Sequence, residues 1–288
     1  MLIVFNQMVS LFLLMLTGYL ANRSGVIDKT FESKVSRFIV NISLPATILN
    51  AVTGSDMAHD QEMLPIFVAA VSIFLVAHVI CHFIQKTIRW NTTYELMLNY
   101  SNLGFMGIPI ILALYPEQGG IYIAVFTVID QLVLWTIGLD LTSPPDSQTS
   151  VSLSKRLIKM VNPATIAITT GVFLVLTGIK LPAAVVNALA KTGSAASPLA
   201  MIYLGGVFCY IKIRNYLKCR EIYATVLIKM VLLPIAFYTI MHYIPSIDRS
   251  IAVTLSVLCA LPSMASIAMI AETQHSDGDY AAGMIFIT

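Results

Sequence analysis

The sequence predicts an all-α integral membrane protein: ten helices in two inverted five-helix repeats, with broken helices 4 and 9 and a truncated last helix. Three observations predict it. Hydrophobic residues make up 57% of the 288 and charged residues 11%, where soluble domains carry about 25% charged. With a mean hydropathy of +0.82, the chain has too few polar side chains to cover a water-facing surface. Apolar runs of the length that crosses about 30 Å of hydrocarbon recur from end to end, without the period-2 alternation of an outer-membrane barrel. Prolines recur 64 residues apart in each half, Pro45 with Pro109 and Pro198 with Pro262. Each lies inside an apolar stretch, where the missing N–H interrupts a helix.

In the first half the runs fall at 2–21, 36–54, 64–84, 93–114 and 120–141. The first has no positive n-region and no clear cleavage site, so it reads as a membrane helix, not a removed signal peptide. The polar, proline-bearing stretch 142–162 reads as a cytoplasmic linker. It separates a first repeat, 1–141, from a second, 163–288. The second holds runs at 163–180, 185–211, 222–243 and 251–270, and a tenth begins near Tyr280 and stops at Thr288. Five helices per half is an odd number, so the second copy enters the membrane with opposite orientation. Leu16-Thr17-Gly18 returns as Leu176-Thr177-Gly178. The proline offset of 153 between halves carries run 120–141 onto 273–294, which predicts truncation within the last helix.

The net charge of +2 informs less than its placement. Lys and Arg crowd alternate loops: Arg23, Lys29, Lys34 and Arg37, then Lys86 and Arg89, then Lys155, Arg156 and Lys159, then Lys212, Arg214, Lys218 and Arg220. The opposite loops hold only Lys180, Lys191 and Arg249. The positive-inside rule makes the crowded loops cytoplasmic and the N-terminus external, in a multi-pass plasma-membrane chain. The four cysteines show no CxxC spacing, so no disulfide framework or metal site follows. No phosphate loop, HExxH or nucleophile elbow appears. No cofactor, no enzyme chemistry and no nucleic-acid partner is expected.

The chemistry concentrates in helices 4 and 9. Asn99-Tyr100-Ser101-Asn102-Leu103-Gly104-Phe105-Met106-Gly107-Ile108-Pro109 carries two glycines and a proline in six residues, a poor continuous helix. Pro109 suits the first turn of a new half-helix, which would aim backbone N–H groups at the membrane midplane. The mirror copy centres on Pro262. Two facing termini favour an anion. The candidate substrate site is therefore Asn99, Ser101, Asn102, Gly104, Gly107, Pro109, Pro262, Ser263 and Ser266; the competing reading of the small residues is helix packing. Asp130, with Gln131 beside it, lies at the middle of the fifth run, and His78 lies in the third. Ionisable groups at such depth are functional candidates, here for a coupling proton or sodium, or else structural hydrogen-bonding groups. Lys229 enters the eighth run near its cytoplasmic end, either snorkelling to the interface or opposing an anionic solute.

Gly18-Tyr19-Leu20, Gly25-Val26-Ile27, Leu44-Pro45-Ala46, the Asn102–Pro109 motif, Asp130-Gln131, Ser197-Pro198-Leu199 and Ala260-Leu261-Pro262 together resemble the auxin efflux carrier (AEC, PIN-like) family. Its bacterial members include malate and malonate permeases. The resemblance implies helices 4 and 9 crossing at their breaks, and a crossing domain moving elevator-like against a scaffold around helices 2 and 7, which Pro45 and Pro198 mark. It implies a small organic anion such as a dicarboxylate as substrate, the lipid bilayer as surroundings, and a homodimer. The chain departs from the family at Ser266, where an asparagine is common. A rival reading, from Asp130 and the broken helices, is a cation/proton antiporter of similar fold. It lacks a second carboxylate at membrane depth.

Overall fold

Hydrocarbon offers backbone N–H and C=O groups no water, so each must pair within the chain, and helix is the local solution. The computed structural model describes residues 2–53, 63–88, 92–107, 110, 111, 114, 115, 119–135, 161–211, 218, 220–244, 247–273 and 278–287. Pro109 and most of the linker 142–162 lie outside the described residues. The helices are α1 (Leu2–Arg23), α2 (Lys29–Phe38), α3 (Leu44–Thr53), α4 (Met63–Ile88), α5 (Thr92–Asn99), α6 (Gly119–Val133) and α7 (Pro163–Thr177). There follow α8 (Ala183–Ser194), α9 (Ala196–Phe208), α10 (Arg220–Leu227), α11 (Leu233–His242), α12 (Arg249–Cys259), α13 (Ala265–Thr273) and α14 (Gly278–Ile287). No strand occurs among the described residues, and three continuous helical stretches, Lys29–Thr53, Phe67–Ile84 and Ile222–His242, are long and apolar enough to cross a membrane. The chain is an all-α membrane protein.

Pro45 does not break its helix, which corrects the expectation. A π turn, Ile39–Ser43, joins α2 to α3, with Leu44 N–H donating to Ile39 O. The widened turn shifts the hydrogen-bond register by one residue, which makes room for the proline ring and absorbs its missing donor. The same device recurs ahead of Leu233-Pro234, where a π turn, Ile228–Leu232, joins α10 to α11. Pro198 is the third residue of α9, and the interruption falls earlier, at Ala195. A proline in a first turn removes a donor that has no helical acceptor anyway.

The helix starts are equally legible. Asn162 caps α7 in extended geometry, its side chain accepting from the N–H groups of Ala164 and Thr165, with Pro163 next; Gly178 ends the helix at φ 69°. Asn162→Ala is expected to cost about 1 kcal/mol, read as a lowered melting temperature of detergent-purified protein.

Two sets of helices pack closely. In one, α1 lies along α9, and α3 packs against α7 and α8. In the other, α4 packs on α5 and α6, α11 on α12, and α13 on α14. The sets meet where α3 faces α6 and where α2 touches α13, the latter contact including Ser36 Oγ donating to Met269 O at 3.1 Å.

Candidate crossing site

Both interrupted helices open at the same place. α5 ends at Asn99, residues 100–102 are not helical, and the chain rewinds as a π turn, Leu103–Gly107. The interruption therefore lies upstream of Pro109, at Tyr100-Ser101-Asn102. α12 ends at Cys259 and α13 begins at Ala265, leaving Pro262 inside the opened segment. The two openings are bonded to each other: Asn102 N–H donates to Pro262 O at 2.8 Å and Met264 N–H to Tyr100 O at 3.0 Å. These form an antiparallel bridge between Ser101 and Ser263.

The serines complete the exchange. Ser263 Oγ donates to Met97 O at 2.8 Å, and Ser101 Oγ reaches Cys259 O at 3.4 Å. Each side chain thus serves a carbonyl at the end of the other helix, where intrahelical donors run out. Gly107 keeps the rewound turn close to α12: a Cβ there would stand 3.0 Å from a Leu258 methyl and 3.1 Å from a Leu261 methyl.

Lys229 sits in the π turn between α10 and α11 and is 1% exposed. Its Nζ donates to Met97 O at 2.9 Å and to Tyr100 O at 2.5 Å. The ammonium does not snorkel to the surface. It sits on the C-terminal carbonyls of α5, where a helix dipole favours a cation. His78 stands behind the same residue, with Nδ1 on Phe74 O at 2.9 Å and Nε2 on the Tyr100 hydroxyl at 3.1 Å. The carbonyl can only accept, so the neutral ring carries its proton on Nδ1 and Nε2 accepts from Tyr100. Asp130, 1% exposed, accepts from Gln131 Nε2 at 3.0 Å. Gln131 Oε1 in turn accepts from Trp135 at 3.1 Å.

A cleft opens beside the bridge. Asn102 and Leu103 line it from the first opening, Met264 and Ser266 from the second, Thr127 and Gln131 from α6, and Leu44, Thr47, Ile48 and Ala51 from α3. Of the residues singled out in the sequence, Asn102, Gln131 and Ser266 thus share one cleft, whereas Ser101 and Ser263 are engaged in the bridge. Asn99 is buried, and neither polar atom of its amide finds a partner among the described residues. Ser266 lies in the first turn of α13, so the positive end of that helix borders the cleft. Sequence reasoning missed Thr127 and Thr47. The available signal was spacing, since Thr127 precedes Gln131 by one helical turn.

Apolar helices whose backbone opens at two touching points beside a cleft are what a membrane transporter would carry. A family model described as membrane transport protein matches residues 3–288, and the chain belongs to that family, which is the auxin efflux carrier family. It is similar to the uncharacterized transporter YfdV of Escherichia coli strain K12, at 23% identity over 244 residues, covering 80% of this chain and 76% of the relative. The YfdV proteins of Escherichia coli O157:H7 and Shigella flexneri match to the same extent.

Proposed function

We propose that this transporter moves a small organic anion, such as a dicarboxylate, across the plasma membrane by elevator-type alternating access. The observation that supports this reading is the bridge between Ser101 and Ser263, which holds the rewound turn from Leu103 and the start of α13 beside one cleft. Such starts present partial positive charge to a bound anion, and the buried ammonium of Lys229 adds to the field. In this reading α1–α3 and α7–α9 form the scaffold, and α4–α6 with α10–α14 carry the solute past it. The cleft at the α3/α6 seam suits a site that changes its exposure as one set slides on the other. Ten helices in two inverted repeats, with an external N-terminus, complete the arrangement. Lys229 already places a cation on the carbonyls at the opening, which favours a proton at Asp130 over sodium as the coupling ion.

Full-length protein in liposomes, given malate, malonate or indole-3-acetate at two pH values, tests the reading. Asn102→Ala is expected to lower solute flux at least about tenfold, equivalent to about 1.4 kcal/mol, with little change in folded yield. Flux that survives this change would move the site elsewhere. Currents that follow protons or sodium without any organic solute would favour the antiporter.

A further inference from the structure

We propose that Thr127 is a solute-contacting residue whose hydroxyl helps set the specificity of this transporter; the inference rests on the transport reading above and places a further polar group in the same site. Threonines in the helices of this protein commonly turn their hydroxyl back onto the carbonyl four residues earlier. Thr17, Thr47, Thr53, Thr169, Thr177 and Thr239 all do so, at 2.7–2.9 Å. This is how a hydroxyl in an apolar helix satisfies its donor locally. Thr127 sits in α6 with Ile123 one turn before it, yet its Oγ1 finds no hydrogen-bond partner among the described residues. The residue is 8% exposed and lines the cleft together with Asn102, Gln131 and Ser266.

An unpaired hydroxyl removed from water is costly, and such a group in a folded protein calls for an explanation. A bound solute supplies one. The neighbouring Gln131 amide is already engaged with Asp130 and Trp135, so it has less to offer a ligand than its position suggests. Thr127 has both its donor and its acceptor capacity to give. A threonine hydroxyl donates to a carboxylate oxygen and accepts from a solute hydroxyl, so it can also separate hydroxylated acids from their plain counterparts. Thr254 in α12 makes the informative contrast. It is 1% exposed and its Oγ1 likewise lacks a partner among the described residues, but it is not part of the cleft lining.

The experiment compares Thr127→Val, Thr127→Ser and Thr254→Val in full-length protein, by liposome flux of malate, malonate and indole-3-acetate and by thermal unfolding in detergent. Valine keeps the shape and removes the hydroxyl. Thr127→Val is expected to raise KM about tenfold or more with the maximal rate retained, and to raise the melting temperature by about 2 °C, because an unsatisfied polar group is lost. Thr127→Ser should stay within about twofold of the parent, as the hydroxyl remains. Thr254→Val should raise the melting temperature without moving KM. An unchanged KM in Thr127→Val, alongside flux lost in Asn102→Ala, overturns the role of Thr127 and leaves the site standing. Unchanged flux in both removes the site itself. A lowered melting temperature in Thr127→Val shows the hydroxyl to be a structural hydrogen-bonding group, and overturns the proposal for any solute.

Discussion

Lys229→Met is expected to destabilise the protein by about 3–5 kcal/mol and to abolish transport, and Asp130→Asn placed in the same chain should restore part of the stability but not the transport. Methionine fills the volume of the lysine stem, so the change is chiefly one of charge. The carbonyls that lose the ammonium are not left bare. Met97 O still accepts from Ser263 and Tyr100 O from the Met264 N–H. The cost lies instead at Asp130, a carboxylate 1% exposed, whose side-chain partner is the Gln131 amide and on which the Lys229 charge acts through space. Removing one of two buried opposite charges leaves the other less compensated, whereas removing both is closer to neutral. Melting temperatures of the two single variants and the double, in one detergent, complete the cycle. Two small and additive losses would mean that the charges do not sense one another, and that the ammonium serves only as a cap on α5.

Structure is most legible in the sequence where the physics is local. Composition and run length place the chain in a membrane, because few charges over many apolar residues admit no other surface. The openings in helices 4 and 9 were visible as clustered glycine and proline, and the structure opens both. It opens the first at Tyr100-Ser101-Asn102, however, because the groups that stabilise an unwound backbone come from distant segments: Pro262 O, the Ser263 hydroxyl and Lys229 Nζ. Nothing in residues 92–107 announces those partners. Pro45 misled for the opposite reason. Proline predicts a break when the register is fixed, and a π turn ahead of it releases the register. Lys229 was ambiguous by position alone. Whether a lysine snorkels or turns inward depends on which carbonyls await it, and that is a property of the fold.

The second large effect is expected where α1 and α9 touch. Alanine at Gly18 or Gly205 should remove most folded, monodisperse protein, a loss of more than about 3 kcal/mol, read by size-exclusion profile and melting temperature in detergent. A Cβ at Gly18 would lie 2.0 Å from Ile202 O, and one at Gly205 would lie 1.9 Å from Met15 O. Both obstacles are backbone carbonyls, which cannot swing aside as a side-chain tip can, so the helices must part. The two contacts are reciprocal, each helix offering a glycine to the other's carbonyl, and separation at one strains the other. Small residues permit this backbone approach in membranes, where lipid is as apolar as the side chains and close packing holds helices together. Gly25 and Gly178 supply the control, since they adopt φ of 76° and 69° with nothing within 4 Å of an added Cβ. Alanine there meets only the left-handed backbone penalty of about 1–2 kcal/mol. If Gly205→Ala proved no worse than Gly25→Ala, α1 and α9 would not be in backbone contact, and the scaffold side of the cleft would lose its support.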